Sequence, residues 1–421
     1  MARDHTFAQV PELRIRVGKG AGKTLTTVLG GTWLHLRSEP PGDFVEVEAF
    51  GCRGWVKKSD VGLDDVVRMH FVDVGQGDGC LIESGDARVI VDGGESDNVL
   101  AYLRGFKYKG LILAGKVVNI DAVVVSHFDF DHYGGITGLL MDGSFAVDTI
   151  FHNGIARFAT NKAKRPTKYQ TQLGSTSGTG TGKVLTTSFD DLASLVKLRD
   201  EGGLSGTFAE FATACETAHK AGRLGALTRL SSGTNVGPFG EMKVTVLGPV
   251  VETGTKVKYR WLGDDSHTVN GHSVVLRLDA HGRSFLLGGD LNSAAEQHLL
   301  DAHGADVFQV DVFKACHHGS SDFSTTFLQA VSPKLTVISS GDDENYGHPE
   351  PDLIGALGRH SNKAVTNPLV FSTELARSTR GEKVTYGMIN VRANSEFLIG
   401  AQFYDQSRGL VDPWHTFEVQ D

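Results

Sequence analysis

The stretch SHFDFDHYGG, residues 126–135, places two histidines and two aspartates within six positions, directly after the apolar run DAVVV. A regular strand or helix would send those four side chains to different faces. A tight loop at the carboxyl end of a strand can converge them, and YGGITGLL then supplies a helix whose N-terminal dipole favours an anion. Three later clusters follow the same pattern. Asp290 closes an apolar run in FLLGGDLN, His317 and His318 close one in FKACHHGSS, and His348 follows another in SSGDDENYGHPEP. Each cluster falls at a strand terminus, so packed sheets can gather all of them at one edge. Such a gathering suits a pair of divalent ions about 3.5–4 Å apart that share a carboxylate.

With 421 residues the chain is long enough for two or three domains and a substantial core. Apolar residues at 40% and charged residues at 22% are ordinary for a soluble globular protein. A formal net charge of −9 argues against a globally basic nucleic-acid binder but leaves room for a local basic patch. Cys52, Cys80, Cys215 and Cys316 are widely spaced and form no Cys-x-x-Cys pair, which fits a reducing compartment. The opening MARDHTFAQVPELRIRVGKG has no apolar core of a secretory leader. No run approaches about 18 apolar residues, so no membrane span is expected. These features predict a soluble, cytoplasmic protein with no membrane partner.

Residues 1–64 read as short strands between glycine turns, among them ELRIRVG, TWLHLRSE and FVEVEAFG. FVEVEAF alternates apolar and polar residues as a half-buried antiparallel strand does, and several such strands predict a small all-β barrel. From residue 65 the texture becomes α+β, with strands in VVRMHFVDVG, CLIESG, ARVIVDGG and DAVVVSH and a helix over SDNVLAYLRGFKYKG. Residues from about 150 to 238 interrupt this texture as an insertion. They hold a flexible Gly/Ser/Thr loop, GSTSGTGTGK, and helical spacing in LASLVKLRDEGG and TFAEFATACETAHKAGRLGAL. Strands resume at KVTVLGP, HSVVLRLDA, RSFLLGGD, DVFKACHHG and KLTVISSG, and VTYGMINVRAN with EFLIGAQFYD predicts a closing hairpin.

These motifs carry a family resemblance. HFDFDH resembles the metallo-β-lactamase signature His-x-His-x-Asp-His, with Asp129 in place of the second histidine. Together with HFVDVGQGDGCLIESG, NGHSVVLRL, GGD, KACHHGSS and SSGDDENYGHPEPDLI, it resembles the metallohydrolase domain of ComEC-type DNA-uptake proteins and their stand-alone relatives, over roughly residues 66–365. GCRGWVKKSDVG resembles the last strand of bacterial SH3-like domains. The resemblance implies an α+β fold: an αββα sandwich over 65–421, preceded by an SH3-like barrel over 1–64 that offers a surface for a protein partner. It implies that His127 and Asp129 hold one metal, that Asp131 and His132 hold a second, and that Asp290 bridges. His318 is the implied ligand of its pair, and His317 a substrate contact. Asn270, with His272 nearby, falls where the family has a further histidine ligand. His348 matches a histidine that positions phosphate or protonates the leaving oxygen, Asp131 shares the catalytic role, and Tyr346 joins the substrate contacts. Asp92 in IVDGG matches a buried brace of the metal loop. DVGQGD lacks the lysine and helix of a P-loop and reads as a strand turn beneath the site.

Asp129 makes the site harder and more anionic than its histidine version, which favours Mn²⁺ without excluding Zn²⁺. Two divalent ions and a phosphodiester are therefore the expected cofactor and client, with a metal-bound hydroxide as nucleophile. Between His152 and Asp190 lie Arg157, Lys162, Lys164, Arg165, Lys168 and Lys183 with no acidic residue, so Lys164 and Arg165 are expected to collect substrate phosphates. The leading expectation is a DNA or RNA nuclease. One alternative is a small-molecule phosphodiesterase acting on a cyclic nucleotide or phosphorylcholine-type ester, and another is a binding protein with a vestigial metal site. His70, His152, His281, His303 and His360 sit in no motif and read as packing or surface residues. The sequence leaves the oligomeric state open.

Overall fold

Long Val/Ile/Leu runs that do not alternate with polar residues belong to strands covered on both faces. The computed structural model describes residues 4–20, 22–252, 257–341, 346–373, 388–403 and 413–420, and in it two such sheets stack face to face. The first has nine strands, in the order Leu224–Arg229, Phe145–His152, Val118–Val125, Ala87–Gly93, Gly79–Ser84, Val67–Phe71, Ile389–Ala393, Leu398–Phe403 and Trp414–Glu418. The second has seven, in the order Asn235–Phe239, Met242–Gly248, Val275–Ala280, Arg283–Leu287, Val312–Lys314, Leu335–Ile338 and Leu369–Ser372. Met69, Phe71, Ile82, Val91 and Val124 of the first pack against Val246, Leu276, Leu278, Phe285 and Val337 of the second.

Helices cover both outer faces. On the nine-stranded sheet, Ile136 and Leu139 of the helix Phe130–Met141 and Phe208 and Phe211 of Gly206–Lys220 join Val123 and Ile150. The helix Gly206–Lys220 buries Phe208, Phe211, Ala212 and Cys215, an i, i+3, i+4, i+7 stripe, and the Ser205 hydroxyl accepts from the Phe208 amide at its start. On the seven-stranded sheet, the helices Ser293–His303, Thr325–Val331 and Pro351–His360 contribute Leu299, Phe327, Leu328 and Leu357. The result is four layers, helix–sheet–sheet–helix. Parallel neighbours in each sheet need crossover connections, which leaves the carboxyl ends of those strands at one edge for functional loops.

Residues His5–Gly62 form their own seven-stranded antiparallel sheet around Leu13, Ile15, Val28, Leu34, Val45, Val47 and Val56. Leu29 and Val66 meet Phe397, Ile399 and Ala401 where this sheet joins the sandwich. Arg68 ties the junction electrostatically. Its guanidinium reaches the Gly31 carbonyl at 3.2 Å, the Asp64 carboxylate, and Glu83 at 3.5 Å. His70, expected to be a packing or surface residue, belongs to this buried network through Glu83 at 3.3 Å and the Tyr102 hydroxyl at 2.8 Å.

Two local readings are revised. The segment from 150 to 238 is not an excursion from the sandwich, because Phe145–His152 and Leu224–Arg229 are parallel neighbours in the nine-stranded sheet. The Gly/Ser/Thr loop is partly ordered: Thr176–Ser177 pairs with Val184–Leu185, which pairs with Tyr259–Arg260. Hydroxyls make this possible, since Thr187 Oγ1 accepts from the Ser175 amide and Thr186 Oγ1 donates to the Ser175 carbonyl. The tail does pair as Ile389–Ala393 with Leu398–Phe403. The residues VTYG before it and YD after it lie outside the described residues. Among the described residues, no helix is long and apolar enough to cross a membrane.

Glu296, 1% exposed on the helix Ser293–His303, accepts from the Ser324 amide and so pins the segment that follows His317 and His318. Burial pushes its carboxyl up to about 8. Folding therefore takes up a proton between the unfolded value near 4.5 and about 8, and stability falls as pH rises through that window by at most about 1.4 kcal/mol per unit. Glu296→Gln is expected to remove this slope. Urea unfolding at pH 5.5 and 8.5 checks it: wild type loses more stability than the variant, whereas parallel losses would contradict the assignment.

Candidate metal centre

The strand Val118–Val125 ends at Ser126, and the chain turns at once into the helix Phe130–Met141, with Asp129 at its N-cap. His127 thus leaves the strand end while Asp131 and His132 sit in the first helical turn. Gly77 of DVGQGD lets a second turn lie against this loop: a Cβ there would stand 1.9 Å from the Asp131 carbonyl oxygen, and its φ is +113°. Asp290 arrives after the strand Arg283–Leu287, His317 and His318 after Val312–Lys314, and His348 beyond Leu335–Ile338. Asp92, His317 and His318 all take left-handed backbone (φ +58°, +50° and +52°), strain that is commonly kept where a side chain must be aimed.

Asp290 is the hub. Its Oδ2 lies 3.1 Å from His318 Nε2, 3.2 Å from His132 Nε2 and 3.9 Å from His127 Nε2. Asp131 Oδ2 lies 3.3 Å from His318 Nε2 and 3.9 Å from His132 Nε2, so Asp131, His132, Asp290 and His318 close one compact group. On the other side, Asp129 Oδ2 is 3.8 Å from His127 Nε2. The Nε2 atoms of His127, His132 and His318 and the Oδ1 of Asp290 are buried without hydrogen-bond partners.

The opposite ring nitrogens are all anchored. His318 Nδ1 donates to the Ser339 carbonyl at 3.1 Å, which leaves the Nε2 lone pair facing the centre. His132 Nδ1 lies 2.9 Å from Asp92 Oδ2, and Asp92 Oδ1 accepts from the Ser126 amide at 2.7 Å. His127 Nδ1 sits 3.1 Å from Ser126 Oγ and 3.3 Å from Ser273 Oγ. Fixing one nitrogen so that the other can coordinate is how histidine ligands are oriented. Three oriented imidazoles and shared carboxylates, with unsatisfied atoms turned inward, fit divalent metal ions.

The buried carboxylates make the centre a place that draws positive charge. Burial drives His127 well below the usual imidazole value, which keeps its lone pair free. Burial opposes charge on His132 and His318 as well, but the surrounding carboxylates, Asp290 foremost, outweigh it and hold both well above that value. Burial likewise works against the charge on Asp290, and the two imidazoles reverse it, holding that carboxyl well below its ordinary range. Burial raises Asp129 despite Arg157, whose Nη2 is 3.2 Å from Asp129 Oδ1. Beneath the centre, Asp78 pairs with the buried Lys314 ammonium and lies 3.4 Å from His318 Nδ1.

Residues 72–189 match the model of the metallo-beta-lactamase superfamily. Over that stretch the chain is similar to a superfamily with a mixed α/β fold. Among curated relatives, the chain is 35% identical over 98 residues to ComE operon protein 3 of Bacillus subtilis (strain 168), a match covering 23% of this chain and 12% of that protein. It is 34% identical over 115 residues to competence protein ComA of Neisseria gonorrhoeae, covering 27% and 16%. The matches thus span less than a fifth of either relative's length. Two solved structures are also similar. One is the metallo-beta-lactamase fold protein YhfI from Bacillus subtilis (11% identical, TM-score 0.37, covering 73% of this chain and 96% of that one). The other is Tm1679, a metal-dependent hydrolase of the beta-lactamase superfamily (14%, TM-score 0.36, covering 73% and 95%).

The structure brings His127, Asp129, Asp131, His132, Asp290 and His318 together. His317, Asn270, His348 and Tyr346 form the rim: Asn270 Nδ2 is 3.5 Å from His317 Nε2, the His317 and His348 rings are 5.7 Å apart, and Tyr346, 72% exposed, stacks on His348. His272 turns away, with Nε2 2.7 Å from the Arg260 carbonyl. Lys164 is exposed on the turn at Lys162–Lys164, whereas Arg165 just after it is half-buried with Nε and Nη1 shielded from solvent, and neither makes an ion pair among the described residues. Arg157, close behind the strand end at His152, pairs with Asp129. Lys314 and the role of Asp78 escaped the sequence reading, although GD in DVGQGD and the lysine inside the apolar run DVFKAC were visible signals. Asp92→Asn is expected to weaken metal binding about 10- to 100-fold with the fold intact, measured by chelator competition alongside circular dichroism. An unchanged affinity would contradict the orienting role of Asp92.

Proposed function

We propose that the protein hydrolyses phosphodiester bonds with two divalent ions, Mn²⁺ or Zn²⁺, and that its substrate is DNA or RNA. One observation carries the reading. Asp78, Asp92, Asp129, Asp131 and Asp290 crowd the site with only Lys314 and Arg157 as partner cations, an excess of three carboxylates once the imidazoles act as neutral ligands. One divalent ion would leave the site anionic and repel a phosphate. Two would turn it singly positive, the complement of a phosphodiester monoanion.

Asp290 would be shared between the ions, with His127 and Asp129 on one and Asp131, His132 and His318 on the other. When bound, the ions supply water activation and neutralise charge developing at phosphorus. The chain's own groups do the rest. Asp131, which the Gln76 amide approaches at 3.4 Å, orients the attacking water, while His317 and Asn270 hold non-bridging oxygens at the rim. His348 gives a proton to the departing oxygen, so that diester and water become a monoester and an alcohol. The N-terminal sheet is read as an SH3-like module that offers a surface to a protein partner. Cys52, Cys80, Cys215 and Cys316 are all unpaired, which supports a cytoplasmic setting.

The test is hydrolysis of single- and double-stranded DNA and RNA, beside bis(p-nitrophenyl) phosphate, with Mn²⁺ or Zn²⁺. Asp131→Ala and His132→Ala are each expected to lose about 10³-fold in kcat/KM. Cleavage confined to the small diester would favour a small-molecule phosphodiesterase. No cleavage by a metal-loaded protein would overturn the hydrolytic reading.

A further inference from the structure

A cavity of about 720 Å³ is walled by the small three-stranded sheet and the segment after it. Lys258, Arg260, Trp261 and Glu252 line it, with the backbone of Gly178 and Gly182 opposite. Trp261 is held firmly: its Nε1 donates to the Gly263 carbonyl at 2.6 Å, and Lys183 Nζ sits 3.4 Å from the ring centroid. Glu252 offsets part of the charge through Arg260 at 3.1 Å, which leaves the cavity basic on a protein whose net charge is −9.

The wall of this cavity is coupled to the metal residues. The Arg260 carbonyl bonds to His272, and the adjacent Ser273 hydroxyl lies 3.3 Å from His127 Nδ1 and accepts from the Asp290 amide at 3.1 Å. From Trp261 the chain enters the helix Asp265–Gly271, which is about 10 Å long and carries Asn270 to the rim. A basic cavity with one anchored indole, one short helix away from the metal centre, has the composition of a single-strand nucleic-acid groove: cations for the backbone and an aromatic platform for a base.

We propose that this cavity docks the nucleic-acid strand that flanks the scissile phosphate. Trp261 stacks a base, and Lys183, Lys258 and Arg260 take neighbouring phosphates. The proposal rests on the phosphodiester reading and narrows it to polynucleotides, because a small diester at the metals would not extend this far.

The test uses the full-length, Mn²⁺-loaded protein and the variants Trp261→Ala, Trp261→Phe and Lys258→Ala/Arg260→Ala. Each is assayed on single-stranded DNA and RNA oligonucleotides and on bis(p-nitrophenyl) phosphate, with oligonucleotide binding followed by fluorescence anisotropy. Trp261→Ala and the double variant are expected to weaken oligonucleotide binding and raise its KM about tenfold or more. Trp261→Phe should restore most of the loss, and hydrolysis of the small diester should not change. Wild-type oligonucleotide affinity in Trp261→Ala and the double variant would overturn the proposal. So would an equal loss on both substrates, which would make the wall a support of the metal centre. If the wild type hydrolysed no diester at all, the phosphodiester reading would fail separately, and anisotropy would still decide whether the cavity binds a strand.

Discussion

Carboxylates that share a buried site cannot all stay ionised without cations, and this constraint organises the centre of the molecule. Asp290 faces three imidazoles through one oxygen, while Asp131 and Asp129 stand to either side. Hydrogen bonds alone do not satisfy this group, since the inward nitrogens of His127, His132 and His318 have none. What keeps the arrangement from relaxing is the layer beneath it. Asp92, Ser126, Ser273 and the Ser339 carbonyl each hold a ring nitrogen, and Lys314 offsets the charge of Asp78. The centre is thus pre-aimed before any ion arrives, at the cost of left-handed backbone at three non-glycine residues.

The sandwich makes that pre-aiming possible. Each sheet is buried on both faces, so its strands are stiff, and their ends are fixed relative to one another across the shared core. Loops leaving those ends need be only a few residues long to converge. Glu296 extends the same logic, pinning the segment after His318 from a neighbouring helix. The N-terminal sheet stands apart from this scheme, with its own core and a junction built on Arg68.

Much of this was legible in the sequence because ligands cluster at the ends of apolar runs, a local pattern that survives without knowledge of tertiary contacts. HFDFDH, GGD and CHHG each announced a strand end, and the structure gathers them. What escaped depends on distance in space rather than in sequence. Lys314 looks like one polar interruption of a strand, and nothing local to it indicates Asp78. Arg157 was one of six basic residues in its segment, and only the path of the chain after His152 brings it to Asp129. The order within Gly174–Lys183 was hidden for a different reason: its strand pairing is short and held by hydroxyls, so composition read as flexibility.

In the proposed reading, two divalent ions would share Asp290. The most direct measurement is a crystal structure of the Mn²⁺-soaked protein with anomalous scattering recorded at the manganese edge. Two peaks are expected, one among Asp131, His132, His318 and Asp290 and one among His127, Asp129 and Asp290. A single peak, or none within reach of Asp290, would contradict it.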